Sequence, residues 1–589
     1  MTRDDGPSSR AGLAGTAIPG VLAAAGLIAV VTLAARVFGF GRWLVFSQSV
    51  GATCVGSVYQ AANQLPNVIF EVAAGGALAA VAVPIVAGQL ARGDHAQADQ
   101  TASAMLTWAM TVLAPLSILL VVAAGPLATL MVDTQWCSGA TDLMASMLVV
   151  FAPQVVLYGV GIVLAGVLQA HRRFLAAAVA PLLSSVVVMA SYLLYSALAQ
   201  GSGDDLARLS GQASTVLAAG TTLGVVALSL PLLIPVHRAG IRLRPTWTFP
   251  DGAARRARAL AGAGLLALVA QQMAVLVALW VSQHRGGPGT LNVFTYVQAV
   301  YLLPYAVLAV PVATAAFPAL AAGTDRSAPD SDRSAPVTGS SSPASIWPAS
   351  VVQSSTAQTS VERAQQTLAS SARAITIATC AGAAVLFAIA PPTGAFFSAL
   401  DAGRHSPAGQ EALAALPGAL SAFAPGLVGF GLAALFTRAL YARGRPGIAG
   451  AVAALGWLIA AALPLMVLRD GAGPRDTLQS LGVASSLGMT AAAIGLALAV
   501  RAAWGSQAFR GLGRSAVVGV GSGVLSAGVG RAIALGLDPQ GLAGGAAVVV
   551  LVTVAVLTLC VVSIWFGDNE SARAVLARLR RRARREMPT

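Results

Sequence analysis

Long apolar segments recur along the whole chain, and they constrain its fold more than any other feature. A helix that crosses a bilayer needs about 20 mainly apolar residues, and about fourteen segments meet that requirement. We place them at residues 17–40, 57–90, 102–131, 142–169, 174–199, 211–236, 259–282, 291–320, 372–399, 411–441, 447–468, 479–502, 513–535 and 541–566. The sequence therefore predicts an all-α polytopic membrane protein with about fourteen transmembrane helices.

The composition excludes the other broad classes of protein. Apolar residues make up 56% of the 589 residues and charged residues only 10%. Soluble proteins carry about 25% charged residues, so this chain has too little polar surface for a soluble enzyme. Disorder is excluded as well, because disordered chains have low hydrophobicity.

The distribution of positive charge predicts the orientation of the chain. All 36 basic residues are arginine, and the formal net charge is +14. If both termini are cytoplasmic, 27 arginines fall in cytoplasmic segments, seven in external segments and two, Arg36 and Arg438, within spans. Membrane proteins typically carry an excess of basic residues in their cytoplasmic loops. This explains the high positive charge better than nucleic-acid binding does. We therefore expect an even number of spans, both ends in the cytoplasm, and no nucleic-acid partner.

Three of the segments outside the predicted spans have a distinctive composition. Residues 1–16 form a short polar cytoplasmic tail, and residues 323–371 are rich in Ser, Pro, Ala and Thr. That composition predicts a flexible cytoplasmic linker, which divides the chain into eight and six spans. The basic residues of the 567–589 tail favour contact with anionic lipid at the cytoplasmic surface over a specific partner site.

No pattern of residues indicates a metal, a nucleotide or a disulfide framework. The motifs HExxH and GxSxG and the Walker loop are missing from the sequence, so we expect no cofactor and no enzymatic activity. Any transport must then be driven by the membrane potential, an ion gradient, the substrate gradient or another subunit. The four cysteines have no paired spacing and are interpreted as small apolar core residues: Cys54, Cys137, Cys380 and Cys560.

Charged residues within apolar spans are candidate functional residues, because each costs about 3 kcal/mol or more at the centre of a bilayer. Arg36 and Arg42 lie around the end of the first span, Glu71 lies in the second and Arg438 in the tenth. An alternative interpretation of Arg42 is a structural residue whose side chain extends to the membrane surface. Glu71 requires a polar cavity or an arginine partner.

Two predicted spans contain helix-breaking residues, which in transporters mark hinges or cavity-lining segments. The second span holds Pro66, Gly75 and Gly76, and the eighth holds Pro304 and Pro311. Because the two spans lie in different halves of the chain, we interpret these five residues as hinge positions.

Several motifs together resemble one protein family. They are RVFGFGR at 36–42, QLPN at 64–67, VP at 83–84, LQAHRRFLAAAVAPLL at 168–183 and RALYARGRP at 438–446. This set is similar to the lipid II flippases (MurJ/MviN), which belong to the multidrug/oligosaccharidyl-lipid/polysaccharide exporter superfamily. The similarity extends over most of the chain.

The resemblance implies two six-helix lobes around a central cavity, followed by two further helices. The N-lobe would comprise residues 17–236 and the C-lobe residues 259–322 and 372–502, while residues 513–566 would form a groove for a lipid tail. Such a protein moves lipid II, a peptidoglycan precursor linked to undecaprenyl pyrophosphate, across the bacterial plasma membrane by alternating access. Its partners would be lipid II and the phospholipid bilayer, with cell-wall synthesis proteins as further candidates.

The resemblance also implies a substrate site. By their positions in the motif, Arg36 and Arg42 match arginines of the family's first helix and would contact the pyrophosphate, since arginine binds phosphate oxygens in a bidentate manner. Asn67, Glu71 and Gln298 complete the candidate substrate-binding residues.

The sequence departs from the family pattern at several of these positions. Phe70 and Glu71 stand where many members carry an arginine pair, Ser57 stands in place of an aspartate, and Gln298 and Ala299 stand where an arginine is usual. The cavity is therefore less cationic, and a divergent paralogue with another polyprenyl-linked cargo is an alternative. Two further alternatives are an ion-coupled exporter that uses Glu71 and a non-transporting scaffold that recruits cell-wall enzymes.

Overall fold

A computed structural model describes residues 18–199, 201–250, 253–325, 349–402, 406–537 and 541–567. The predicted polar tail at 1–16 lies outside these ranges, as does almost all of the basic tail at 567–589. The described residues are mainly helical and include no β-strand. The all-α prediction is therefore confirmed.

The first half of the chain forms the N-lobe, which we define as residues 18–238. Its helices are α1 (Ile18–Ser49), α2 (Cys54–Phe70), α3 (Gly76–Ala91), α4 (His95–Val122), α5 (Ala124–Met131), α6 (Ala140–Phe151), α7 (Pro153–Ala170), α8 (Phe174–Ala199), α9 (Gly211–Ser229) and α10 (Leu233–Arg238). The start of α2 is set by Thr53, whose hydroxyl accepts a hydrogen bond from the Gly56 N–H at 3.1 Å and so caps the helix.

The second half forms the C-lobe, which we define as residues 253–504, and a pair of helices that follows it. The C-lobe helices are α11 (Ala253–His284), α12 (Thr290–Pro304), α13 (Val310–Asp325), α14 (Ala349–Asp401), α15 (Pro407–Ala414), α16 (Leu416–Phe423), α17 (Gly426–Ala442), α18 (Pro446–Val467) and α19 (Gly473–Trp504). The final pair consists of α20 (Leu512–Gly536) and α21 (Gly541–Gly567).

Eleven helices of the described chain are long and apolar enough to cross a membrane. A twelfth span results if Pro407–Phe423 and Gly426–Ala442, which meet at 49°, form one bent span. Each of these spans corresponds to one predicted apolar segment. The two remaining predicted segments, 17–40 and 57–90, coincide with α1 and with the run from α2 to α3, so the total of fourteen spans stays a prediction.

The helices differ from two of the predicted boundaries. The helix α1 continues to Ser49, beyond the predicted end of the first span near residue 40, and therefore contains Arg42. The predicted linker at 323–371 is helical at both of its ends, since α13 extends to Asp325 and α14 begins at Ala349. Residues 326–348 of that linker lie outside the described part of the chain.

The cysteine prediction is also wrong in part. Cys54 and Cys137 form a disulfide whose Cα atoms lie 6.1 Å apart, which joins the start of α2 to the loop before α6. The two residues are separated by 83 positions along the chain, so no local spacing revealed them. Cys380 and Cys560 are buried free thiols, as an apolar core role requires. We call this end of the molecule the disulfide end.

The opposite end of the molecule carries most of the arginines, and we call it the arginine-rich end. Its loops include Arg92, Arg172, Arg173, Arg443 and Arg445. The guanidinium of Arg443 lies 4.1 Å from the centre of the Trp504 ring. Burial, together with the neighbouring charge of Arg445, lowers the pKa of Arg443.

The two lobes share an apolar core at the disulfide end. One large cluster of buried side chains combines N-lobe residues such as Phe46 and Tyr59 with C-lobe residues such as Tyr296 and Phe397. A second cluster, which includes Phe436 and Trp504, contains no N-lobe residue and lies toward the arginine-rich end. The lobes are thus joined through a common core at one end, while the C-lobe has a separate core at the other.

The helices α20 and α21 pack against α14 and against each other. Arg531, near the end of α20, fixes this arrangement because its guanidinium donates to the Phe387 carbonyl at 2.9 Å and to the Ser421 hydroxyl at 3.3 Å. The guanidinium also lies 5.1 Å from the centre of the Phe387 ring. The pair of helices is thereby attached to the C-lobe.

The connection between the lobes runs as an extended segment along α4. The backbone N–H groups of Arg242, Arg244 and Thr246 donate to side-chain oxygens of Asp99, Ser103 and Thr107 at distances of 3.1, 3.0 and 3.0 Å respectively. These hydrogen bonds tie the inter-lobe connection to the N-lobe.

Candidate functional site

A polar cavity lies between the two lobes, on the arginine-rich side of their shared core. It consists of two adjoining chambers of about 400 and 300 Å³ that share lining residues, among them Arg42 and Trp43. The larger chamber lies between α1, α2 and α7 of the N-lobe and α11 and α12 of the C-lobe. The smaller chamber lies within the N-lobe and is bounded by α1, α2, α7, α8 and α9.

Arg42 contributes a permanent positive charge to this cavity. It lines both chambers, and its guanidinium carbon lies 5.6 Å from the centre of the Trp43 ring, a cation–π contact. Arg42 forms no ion pair with any of the residues that the structure describes. A guanidinium without a carboxylate partner is available to an anionic ligand.

Carboxamide side chains form a stripe along one face of α2. Gln60, Asn63, Gln64 and Asn67 all line the larger chamber, and their spacing of three, four and seven residues places them on one side of a helix. Gln298 of α12 lines the same chamber from the C-lobe. These amides supply neutral donors and acceptors around Arg42, so they can bind polar groups of a ligand without opposing its charge.

Sequence reasoning identified Arg42, Asn67 and Gln298, and the structure brings these three residues together in the larger chamber. It missed Gln60, Asn63 and Gln64, although the signal was present in the segment QAANQLPN as polar residues at helical spacing. A stripe of amides within an apolar span is costly unless it faces a cavity.

A hydrogen-bonded network closes the wall of the smaller chamber. The hydroxyl of Tyr59 lies 2.9 Å from the hydroxyl of Tyr192 and 2.9 Å from that of Thr221, and all three residues line the chamber. Thr221 also donates to the Leu217 carbonyl at 2.8 Å. This network holds α2, α8 and α9 together beside the cavity.

Two of the predicted substrate-binding residues are not placed in the cavity. The backbone of Arg36 belongs to α1, but its side chain lies outside the described part of the structure. Glu71 is half-buried at the end of α2, lines neither chamber, and has no ion pair with a described residue. The suggested arginine partner for Glu71 is therefore not found among the described residues.

Two helices are interrupted near the proline and glycine residues from which the sequence predicts hinges. A π-helical turn at Glu71–Gly75 separates α2, which contains Pro66, from α3, which begins at Gly76. A second π-helical turn at Tyr305–Ala309 follows Pro304 and precedes Pro311. Turns of this kind occur frequently at functional sites, and these two lie in equivalent helices of the two lobes. Hinge motion at these positions stays a prediction.

The cavity is sealed at the disulfide end by hydrogen bonds between the lobes, which we call the interlobe seal. The hydroxyl of Ser57, in the N-lobe, accepts a hydrogen bond from the backbone N–H of Gly289 at 2.8 Å. The backbone carbonyl of Ser57 accepts a second one from the side-chain amide of Gln283 at 2.9 Å. The Asn292 side chain donates to the Gly51 carbonyl at 2.7 Å. Ser57, Gln283 and Asn292 are all buried, so the bonds are shielded from water.

Two glycines allow the backbones to approach at this seal. A Cβ atom at Gly289, whose φ is +79°, would lie 2.8 Å from the Ala52 carbonyl oxygen, and a Cβ at Gly409 would lie 2.3 Å from the same atom. Between the seal and the cavity lies an aromatic layer, in which Tyr296 stacks on Phe397 with ring centres 4.9 Å apart. The disulfide end of the cavity is therefore closed by both polar and aromatic contacts.

The side chains of the site are suited to binding a polar, anionic ligand. Within the described ranges no group of three or more His, Cys, Asp or Glu side chains is arranged to hold a metal ion. A guanidinium, a row of amides and several aromatic side chains can hold an anionic group and an attached polar moiety in a space that is closed at one end.

Comparisons with known proteins agree with one family. The model of the family described as "Lipid II flippase MurJ" matches residues 46–530. A probable lipid II flippase MurJ from Synechocystis sp. is 29% identical over 233 residues, which is 38% of this chain and 42% of that protein. One from Rhizobium tropici is 25% identical over 275 residues, or 46% and 50% of the two chains. The alignments thus span about half the length of these relatives.

Solved structures show the same fold. A lipid II flippase MurJ in an inward closed conformation superposes with a TM-score of 0.64 at 15% identity and covers 91% of this chain and 98% of its own. An inward-facing multidrug resistance MATE family transporter of the MOP superfamily gives a TM-score of 0.57 at 15% identity and covers 81% and 98%. The transporter fold predicted from the sequence is confirmed.

Proposed function

Because this chain belongs to the lipid II flippase family MurJ, we propose that it moves lipid II, the polyprenyl-pyrophosphate-linked peptidoglycan precursor, across the bacterial plasma membrane. The headgroup would enter the interlobe cavity from the arginine-rich end and leave at the disulfide end. For the headgroup to leave, the interlobe seal would open while the cavity closes at the arginine-rich end, as alternating access requires.

The observation that carries this proposal is the placement of Arg42 in the interlobe cavity without a carboxylate partner among the described residues. Exposing a charged pyrophosphate to the hydrocarbon of the bilayer costs too much free energy, so a protein that carries it needs a cationic and polar passage. One guanidinium binds two phosphate oxygens at once, while the amides of α2 can bind the remaining oxygens and the sugar hydroxyls. Arg36, six residues earlier in α1, is the proposed second contact.

We place the arginine-rich end in the cytoplasm and the disulfide end outside. The bias of arginines toward one set of loops supports this orientation. The disulfide between Cys54 and Cys137 supports it independently, because disulfides persist in oxidising compartments outside the cytoplasm. Both chain termini would then be cytoplasmic.

The energy source is proposed to be the membrane potential or an ion gradient, without a cofactor. Moving one elementary charge across the membrane yields about 2.3 kcal/mol per 100 mV, and lipid II carries a negative charge on its pyrophosphate. Cell-wall synthesis proteins on the outer side are proposed as the partners that use the delivered precursor.

The test is complementation of a flippase-depleted bacterium, scored by labelling lipid II in the outer leaflet. Arg42→Ala is expected to reduce labelling by about tenfold or more, because a hydrogen-bonded charge contact is worth about 1.5–3 kcal/mol. Arg42→Lys should retain part of the activity, since it keeps the charge but loses the bidentate geometry. Arg36→Ala is expected to behave like Arg42→Ala.

A matched control is Arg92→Ala, because Arg92 is exposed in the loop after α3 and lines neither chamber. Membrane insertion of every variant is measured by the amount of full-length protein in the membrane fraction. Normal labelling in a well-inserted Arg42→Ala variant would contradict the proposal. If the unaltered chain failed to restore lipid II labelling but moved another polyprenyl-linked glycan, the divergent-paralogue alternative would be correct.

A further inference from the structure

A second polar cavity lies apart from the interlobe cavity, where the beginning of α14, the connection between α19 and α20, and the first turn of α20 meet. It has a volume of about 620 Å³. Its lining is almost wholly polar and includes Arg373 from α14, Arg510 from the connection and Arg514 from α20. Neither the family comparison nor the substrate proposal assigns any role to this cavity.

The electrostatics of the cavity favour an anion. Among the described residues that line it, three carry a guanidinium group and one, Glu362, carries a carboxylate. Arg373 and Arg510 form no ion pair with residues in the described ranges. The Nε atom of Arg373 is buried and has no hydrogen-bond partner in the described part of the chain. Guanidinium groups that lie close together repel one another, so Arg373 and Arg510 are stabilised when an anion lies between them.

The start of α20 adds two further features that favour a ligand. Its N-cap is Gly511, so no side chain caps the helix, and the free N–H groups of the first turn carry partial positive charge. Ser515 lines the cavity and is only 1% exposed, yet its hydroxyl has no hydrogen-bond partner among the described residues. Burying a hydroxyl without a hydrogen-bond partner costs free energy. A bound phosphate oxygen would accept a hydrogen bond from this hydroxyl and so remove that cost.

The location of the cavity indicates the source of the anion. Directly beyond Arg514 and Ser515, α20 exposes apolar side chains that would face lipid: Val517 is 75% exposed and Val524 is 69% exposed. The cavity therefore lies at the level where a membrane helix begins, next to a surface that acyl chains can cover. Basic cavities between membrane helices on the cytoplasmic side are typical of phospholipid headgroup sites.

We propose that this cavity binds the phosphate group of an anionic phospholipid, with the acyl chains lying along α20. Arg510 and Arg514, both exposed at the rim, would contact the phosphate from the water side, and Ser515 would donate to it from within. Because the cavity joins α14 to α20, the bound lipid would hold the final helix pair against the C-lobe. This proposal does not depend on the cargo.

The test uses the full-length chain, purified in a neutral detergent and titrated with phosphatidylglycerol, and bound lipids are counted by native mass spectrometry. Phosphatidylcholine and inorganic phosphate are titrated in parallel. The variant R510Q/R514Q removes two guanidinium groups from the cavity. The control R363Q/R501Q removes two exposed arginines at the same end of the C-lobe that do not line the cavity.

The unaltered chain is expected to bind phosphatidylglycerol about tenfold more tightly than phosphatidylcholine, since contacts to charged groups are stronger than neutral ones. R510Q/R514Q should lose this preference and R363Q/R501Q should keep it. Ser515→Ala should weaken phosphatidylglycerol binding to a smaller extent. Melting temperatures without added lipid establish that all variants are folded.

Three results would overturn the proposal. Equal binding of the two lipids by the unaltered chain would exclude an anion-selective site. Equal loss in both double variants would show a diffuse effect of surface charge. Displacement of phosphatidylglycerol by inorganic phosphate at comparable concentration would assign the cavity to a soluble phosphate compound instead.

Discussion

Arg42 carries the permanent charge among the described side chains that line the interlobe cavity, and its neighbours there are neutral amides and aromatic rings. In a cavity of this kind, anion binding depends strongly on each guanidinium group, because the low dielectric environment strengthens its field. The cavity is therefore expected to tolerate changes among the amides better than a change at Arg42.

Glu71 provides a prediction that separates a lipid flippase from an ion-coupled exporter. The carboxyl lines neither chamber, so it does not contact a headgroup bound beside Arg42. Glu71→Gln keeps the size of the side chain and removes its charge. We expect it to retain at least about half of the outer-leaflet lipid II labelling, since isosteric changes away from a binding site usually have small effects.

The control for this experiment is Gln298→Glu, which introduces a carboxylate into the cavity itself and should reduce labelling strongly because it repels the pyrophosphate and neutralises Arg42. If Glu71→Gln instead abolished transport while Arg42→Ala did not, Glu71 would be the coupling carboxylate of an exporter.

The sequence predicts candidate site residues where a helix contains a polar residue that apolar surroundings cannot explain, and their role in binding stays a prediction. Arg42, Asn67 and Gln298 were predicted in this way or through motif similarity, and they share one chamber. The position of Glu71 outside both chambers could not be predicted, because it follows Asn67 by four residues and so continues the face of α2 that carries the amides. The disulfide partners were equally hidden, since only the fold brings Cys54 near Cys137.

At the scale of elements, the connection between the lobes illustrates how a helix can bind an extended strand. Asp99, Ser103 and Thr107 are four residues apart, which corresponds to about 6 Å along a helix. The donors at 242, 244 and 246 are two residues apart, or about 6.6 Å along an extended chain. Because the two repeats nearly match, successive hydrogen bonds form without distortion.

This match gives a prediction for the connection. Ser103→Ala/Thr107→Ala removes the side-chain acceptors of two backbone hydrogen bonds, each worth about 1 kcal/mol. Hydrogen–deuterium exchange at the amides of Arg244 and Thr246 should then accelerate by about fivefold, while the amide of Arg242, bonded to Asp99, changes little.

Thr490→Ala is a suitable control, because its hydroxyl bonds only within its own helix, to the Ser486 carbonyl. Unchanged exchange at Arg244 and Thr246 in the double variant would mean that the connection is held by other contacts, such as the bond from the Trp108 indole N–H to the Trp247 carbonyl at 3.0 Å.

Helices were predicted well from apolar segments, but their ends were not. Apolarity shows where a helix meets lipid, and α1 and α14 continue beyond that region as more polar helices, to Ser49 and back to Ala349 respectively. Such extensions are stabilised by contacts with neighbouring elements and not by local composition. For the same reason, the stretch 349–371, whose composition predicts a linker, is part of α14.

At the scale of the whole molecule, the covalent and the reversible contacts at the disulfide end have different roles. The disulfide and the bond from the Cys54 N–H to Asp204 lie within the N-lobe, so they can persist when the lobes separate. The bonds of Ser57 and Asn292 cross between the lobes and must break when the seal opens. The disulfide thus keeps the start of α2 rigid, so that the seal can form again in the same geometry.

The seal should therefore control which end of the cavity is open. Ser57→Ala/Asn292→Ala removes two interlobe hydrogen bonds worth about 1 kcal/mol each and should shift the conformational equilibrium toward opening at the disulfide end by roughly 30-fold. Spin labels at Arg208→Cys and Arg469→Cys, both exposed at that end of opposite lobes, would report a longer inter-lobe distance by pulsed electron resonance. Ser146→Ala, whose hydroxyl bonds within its own helix, should leave the distance unchanged. If Ser57→Ala/Asn292→Ala and Ser146→Ala gave identical distance distributions, the aromatic layer around Tyr296, and not the hydrogen bonds, would hold the lobes together.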